Sequence, residues 1–352
     1  GSSPLGSLQS CTVSPRSLNS HRRVARLMEA EGLEETFLRP VTDPASVSAC
    51  YEQYGVVGVT GVLSEAECIE LITEGIEPFL PTGCRVNDME TFSLADMAVN
   101  RYGVIGKRTL FNSSVLSARL HKNVVAAFSA VYGRSDVYAC HDRAAWMRPA
   151  AINLRWETPF SWPGLHFDVN LRSYFQGARE DVDAFLSELN YDSGGFTAEN
   201  NAKHVSMGRA VQGVLNLLHN EEGDGGFHCN PGMFGIPLVD WIQDHPGLPD
   251  AQVNGNYQLK SFGPDAEVGT GAMRIPCPAG TLLLFDATLP HGTRPNASSN
   301  SRLILFLRNI TGETLPAAAW RNRNASLKQV CRSVGFEPDE RQQRHMYGPE
   351  SE

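Results

Sequence analysis

No run of about 18 consecutive apolar residues occurs in the chain, and the N-terminus has no basic segment leading into an apolar one. Neither a membrane span nor a secretory signal is therefore expected. Positive charge is in deficit as well. With 30 Lys and Arg against 39 Asp and Glu, the formal net charge is -9, which counts against a general nucleic-acid binder because neutralising phosphates takes a basic surface. The eight cysteines are scattered, with no CxxC pair, so a disulfide framework and a zinc knuckle are both disfavoured. Free buried thiols in a cytoplasmic or other reducing intracellular compartment are the expectation. Internal repeats and low-complexity segments are missing too. What remains is the composition of an ordinary globular protein, 41% hydrophobic and 20% charged, and 352 residues are enough to bury a core without staples.

Read in order, the chain divides into four parts. Residues 1–20 form a polar tail expected to be disordered, opening on GSSPLGS, which resembles a tag remnant and could stand where a targeting peptide was removed. Residues 21–135 are expected to be mainly helical with one β-strand. A polar helix fits residues 19–31, and Asp43-Pro44 supplies an N-cap and a first-turn proline for a helix running to Tyr54 and stopping at Gly55. The β-branched string after Gly55 predicts a strand over residues 56–62. Ser64 and Glu67 then make a capping box for a helix with Ile69, Ile72, Ile76 and Leu80 on one face. Residues 82–112 show no clear period and are read as either a solvated connection or a lid over a binding site. Residues 116–132 return to a helix.

From residue 136 to 312 the texture changes to short extended runs punctuated by Gly, Pro and Asn. This predicts a mainly β double-stranded β-helix, a cupin-like jelly roll, flanked by helices and forming one domain with the preceding region. Expected strands include AAINLRW (150–156), the segment around His166, RAVQGVLNLL (209–218), GTLLLF (280–285), 289–294 and 302–310. A helix is expected over 178–189 between sheet strands, and another over 236–244. Residues 313–352 are read as a C-terminal helix and a polar tail.

The chemistry centres on PGLHFDVN. His166 and Asp168 stand two apart on an extended segment and so share one face. Such a pair is common by chance and gains weight only with a third ligand. His291 supplies it, in LPHGTRPN, 123 residues beyond Asp168. Two histidines and a carboxylate leave three adjacent positions open on an octahedral ion, the arrangement of non-haem Fe(II) oxygenases. Arg302 follows His291 by eleven residues in another apolar run, where a buried guanidinium demands a carboxylate partner. The distal carboxylate of 2-oxoglutarate meets that demand. Thr293 shares the strand face of His291 and can add a hydroxyl, and Asn153 can hydrogen-bond the cosubstrate near the metal. His228, beside a Pro-Gly turn, is read as a structural histidine.

These features together resemble the phytanoyl-CoA dioxygenase family of Fe(II)/2-oxoglutarate oxygenases, which includes ectoine hydroxylase. The resemblance spans roughly residues 50–312. It rests on GVVGVTGVLSEAECIELI, Asn153 thirteen residues before His166, the HFD segment, DGGFHCNPG, GTLLLFDATLPHGT and Arg302. It implies a jelly-roll core, Fe(II), 2-oxoglutarate and O₂ as cofactors, His166, Asp168 and His291 as iron ligands, and Arg302 with Thr293 as the 2-oxoglutarate anchor. Asn153 is implied in an auxiliary role. One departure is local: Met233 and Phe234 stand where the family has a Ser-His ending. Asp168 is intact, unlike in halogenating relatives, so hydroxylation, desaturation or oxidative cyclisation is the expected outcome.

For the substrate, Arg155 is expected on the same inward strand face as Asn153, where it meets an anion or else pairs with a core carboxylate. Trp156 and Trp162 are candidate pocket walls, and Arg108 a candidate charge contact. A small anionic metabolite is the leading substrate class. An acyl-CoA or lipid is the alternative, weakened because only Lys107-Arg108 offers clustered charge for a CoA diphosphate. A non-catalytic 2-oxoglutarate or metal sensor is the alternative of another class. No protein partner is implied.

Overall fold

The computed structural model describes residues 36–169, 171, 186, 188, 189, 191, 196, 199, 210–243 and 257–349. The tail over 1–20 and the helix expected over 19–31 lie outside these, and the helix expected over 178–189 lies largely outside them.

Twelve strands are described: β1 (Leu38–Pro40), β2 (Val56–Thr60), β3 (Val137–Ala139), β4 (Ala144–Met147), β5 (His166–Phe167), β6 (Val211–Asn216), β7 (Gly226–Cys229), β8 (Tyr257–Gln258), β9 (Met273–Arg274), β10 (Leu282–Asp286), β11 (His291–Arg294) and β12 (Arg302–Thr311). They form the two sheets of a jelly roll. The larger runs β1-β2-β10-β6-β12-β3, with β4 also on β12, and the smaller runs β8-β5-β11-β7-β9. Apart from β1 and β2, the strands that lie side by side are not consecutive in sequence, which is how residues far apart in the chain reach one site.

The N-terminal region belongs to this core rather than standing beside it. Val56, Val57 and Val59 are fully buried, and β2 pairs antiparallel with β10 in the register Leu284↔Val57. Burying such side chains contributes about 1.5–3 kcal/mol each, enough to hold a five-residue strand in place. The helix Pro44–Tyr54 starts on the Asp43 side chain, which accepts from the Ser46 amide, and stops at left-handed Gly55, as its punctuation predicts. The Ser64 capping box is also present. Its helix, however, is short (Glu65–Glu70) and widens into a π-helical turn over Leu71–Ile76. The helix expected over 116–132 is two, Ser113–Arg119 and Lys122–Tyr132, because the His121 side chain caps the second from its start.

One expected strand is absent. The ladder strand is β4, and residues 150–156 turn instead: the Pro149 carbonyl accepts the amides of Ile152 and Asn153, and Leu154–Trp156 form one 3-10 turn. The Asn153 carboxamide accepts the Arg155 amide, offering the backbone a local partner in place of a neighbouring strand. Asn153 and Arg155 therefore share no inward strand face. At the other end, the helix Ala317–Val334 packs Trp320, Leu327 and Cys331 into a second apolar cluster with Leu116, Leu120 and Ile310.

Candidate metal centre and its cleft

β5 and β11 run antiparallel with His166 directly opposite His291. Asp168 lies just past the end of β5 in a bend, so the segment is shorter than the extended run expected, yet the three side chains still converge. Their ligand atoms all lie within 4.8 Å of one another. His166 Nε2 is 3.3 Å from Asp168 Oδ1, and His291 Nε2 is 3.5 Å from Asp168 Oδ2. His291 Nδ1 donates to the Leu289 carbonyl at 2.8 Å, which fixes the tautomer that leaves Nε2 with its lone pair toward the cluster. Burial lowers the His291 pKa, favouring the neutral ring that a metal needs. Phe227 stacks on that ring with centroids 5.8 Å apart.

The close approach of β11 to the segment before β5 depends on a bare backbone. A Cβ at Gly292 would lie 1.9 Å from the Gly164 carbonyl oxygen, so only glycine lets these segments meet. His228 belongs to the same packing. It is fully buried, its Nε2 sits 3.2 Å from the Pro163 carbonyl, and burial pushes its pKa down to about 4. These contacts are those of a neutral structural histidine.

Arg302 opens β12 opposite Met147 of β4 and is 3% exposed. Its NH1 reaches the Met147 thioether at 3.4 Å, its Nε has no partner, and among the described residues it makes no ion pair. Burial, with Arg274 nearby, pushes its pKa down to about 9, so the group is still a cation at neutral pH. The backbone makes room for it: a Cβ on Gly226, which has φ +107, would lie 2.4 Å from Arg302 Nε. Gly226 precedes Phe227 on β7, the strand beside β11. Arg302 and the His-Asp-His cluster are thus tied to one strand pair. Arg274, engaged with the Phe227 and Glu221 carbonyls and Asn220 Oδ1, adds positive charge to this region. Such a buried, unpaired guanidinium fits a ligand carboxylate.

A cleft of about 260 Å³ is lined by Met147 together with Asp96, Arg101, Arg148, Arg155, Trp156 and Thr158 among others. Arg148 is locked there. It pairs with Asp96, donates to the Phe92 carbonyl at 2.8 Å, and lies 4.8 Å over the Trp156 ring. Trp156 Nε1 donates to the same Asp96 carboxylate at 3.0 Å. Burial acts to raise the Asp96 pKa, but these hydrogen bonds and the arginines outweigh it and hold the group below its usual value.

The structure sorts the remaining expected site residues. Arg155 and Trp156 line the cleft from the 3-10 turn, not from a strand. Asn153 is half-buried as the cap of that turn. Thr293 is on β11 two residues after His291, on an exposed position. Trp162 is 42% exposed, beside Gly269 and outside the cleft lining. Arg108 is exposed and is not among the residues that line the cleft. Within residues 82–112, Met89–Met97 form 3-10 turns, and Val104 bridges Ala145 of β4. Asp96, Val99, Asn100, Arg101 and Gly103 of this segment line the cleft. Arg148, Thr158 and Gly226 had no sequence signal of their own, since nothing in their spacing relates them to the histidines.

No family profile matches the chain. A Dictyostelium discoideum protein named "Putative phytanoyl-CoA dioxygenase" is 29% identical over 288 residues, covering 80% of this chain and 79% of its own, which carries the resemblance read from the motifs along most of the sequence. Among solved structures, a hypothetical protein from Escherichia coli superposes with a TM-score of 0.60 at 13% identity, covering 95% of this chain and 87% of that one. The product of GlcNAc Inducible Gene 2 from Candida albicans gives 0.56 at 19% identity, covering 95% and 81%. These two show a shared fold and nothing about chemistry. Among the described residues no helix is long and apolar enough to cross a membrane.

Proposed function

We propose that the protein is an Fe(II)/2-oxoglutarate-dependent dioxygenase that oxidises an unactivated C–H bond of a small anionic metabolite. His166, Asp168 and His291 would hold the iron, and Arg302 the distal carboxylate of 2-oxoglutarate. The observation that carries the reading is Arg302: a buried cation that meets no carboxylate among the described residues, tied through β7 to a His-Asp-His cluster. The likeness to the Dictyostelium relative supports the same class.

When bound, the iron and 2-oxoglutarate supply O₂ activation, with loss of CO₂, one oxygen atom entering the new succinate carboxylate and the other available to the substrate C–H. The chain's own part is to position and shield. Leu289 fixes the His291 tautomer, Phe227 and Phe285 flank its ring, and burial of Arg302 raises the worth of its charge by excluding water. Thr293 and Asn153 are proposed as further cosubstrate contacts, and Arg155 with Trp156 as substrate contacts from the cleft. Hydroxylation, desaturation and ring closure share this reading up to hydrogen abstraction.

The test is optical. Anaerobic Fe(II) plus 2-oxoglutarate is expected to give a weak visible charge-transfer band that disappears in Asp168→Ala and in His291→Ala. A wild-type protein that binds Fe(II) yet shows no band with 2-oxoglutarate would sink the cosubstrate assignment.

A further inference from the structure

The protein as a whole has a net charge of -9, yet the cleft beside Met147 is lined by three arginines and one aspartate, a surplus of two positive charges among the described residues. Arg148 is not one of the free pair. Its side chain is 7% exposed and is neutralised by Asp96, so it serves as a rigid wall carrying the Trp156 ring. Arg101 and Arg155 are the remaining two. Both are exposed, and among the described residues neither makes an ion pair. Arg101 is steadied only by the Tyr102 hydroxyl at 2.7 Å and the Tyr102 ring. Between them lie apolar surfaces of Val99, Trp146, Met147 and Trp156, and the buried Thr158 hydroxyl, which has no partner.

From this we infer that the cleft is the prime-substrate site and that it selects a substrate with two separated anionic groups, one held by Arg155 and the other by Arg101. The aliphatic part of that substrate lies on Met147 and Trp156. Met147 ties the cleft to Arg302, because it lines the cleft and its thioether also meets the Arg302 guanidinium. Two guanidinium groups carried on different segments, the 99–105 bridge and the 154–156 turn, can engage two anions, whereas a single arginine engages only one. The inference rests on the dioxygenase reading for the identity of the chemistry, but not for the binding event.

Binding of linear dicarboxylates of six to ten carbons can be measured by equilibrium dialysis on the full chain, with saturating 2-oxoglutarate and Mn(II) in place of Fe(II). The matching monomethyl esters serve as controls. At least one dicarboxylate is expected to bind about tenfold or more tighter than its monoester and to weaken as salt rises. Arg155→Met and Arg101→Met should each bring that dicarboxylate level with its monoester, and Arg155→Lys should restore part of the difference. The anaerobic Fe(II)/2-oxoglutarate band should keep its wild-type midpoint in all three variants, which shows that they are folded and that the probe has not displaced 2-oxoglutarate. If every dicarboxylate binds no better than its monoester, or the Met variants bind like wild type, the two arginines are solvated surface charges and the inference is wrong. The dioxygenase reading then still stands on its band. Absence of the band in wild type alongside selective dicarboxylate binding would overturn that reading and leave the anion site in place.

Discussion

Two arginines of this protein are equally buried and do opposite things. Arg323, on the C-terminal helix, is fully enclosed. It donates to Glu199 at 2.7 Å, to the Met346 carbonyl at 2.8 Å and to the Ala139 carbonyl. Burial presses its pKa down, but Glu199 with Cys140 and Tyr191 outweighs that and holds it above its ordinary value. Arg302 meets a thioether and leaves Nε unpaired, and its pKa falls to about 9. A fold tolerates an unpaired internal cation only when something other than stability keeps it there. The satisfied arginine stitches helix to sheet, whereas the other, unpaired among the described residues, is the one proposed to take a carboxylate from outside the chain.

The sharpest way to break this contrast is Arg323→Met. It strands Glu199 as a buried carboxylate and should cost about 3–5 kcal/mol of stability in denaturant melts, with 2-oxoglutarate affinity of the folded fraction unchanged. Arg302→Met should reverse the pattern. Affinity for 2-oxoglutarate should fall by about 100-fold or more, since two charge-assisted hydrogen bonds at about 1.5–3 kcal/mol each are lost, while the melt stays put or improves. A joint fall in both quantities would make Arg302 structural and end the comparison. Gly226→Ala tests the room made for Arg302. The added methyl meets Nε and must accept φ +107, so affinity should drop by about tenfold with a stability cost of about 1–3 kcal/mol.

The smallest effect is on pH. Free Arg302 has a pKa of about 9, and a bound carboxylate raises it, so binding takes up a proton only above that value. Affinity titrated by the charge-transfer band should be flat from about pH 6.5 to about pH 8 and decline above about pH 9.

Much of this was legible in the sequence, and the failures have a common cause. The ligand segment around His166, the Arg at eleven residues after His291 and the caps at Asp43 and Ser64 are readable because each is a local pattern with a local physical meaning. The alternation in AAINLRW promised a strand, but an alternation says nothing about whether a neighbour is free to pair. β12 pairs with β4 through Met147 and no further, and the Asn153 side chain then captured the backbone locally. The cleft was the least legible part. Its floor depends on Val104 bridging Ala145 and on Asp96 gripping Arg148, contacts between segments that share no period and no motif.

Gly292 sets a boundary for anyone who would re-target this protein by directed evolution. Its codon has effectively one viable meaning, because any side chain there strikes the Gly164 carbonyl and drives apart the two segments that carry the histidines. Diversity spent on that codon is wasted. Leu154 at 80% exposure and Met97 at 97%, next in sequence to the cleft residues Arg155 and Asp96, are permissive by comparison, so a library confined to such positions leaves the frame around the histidines untouched.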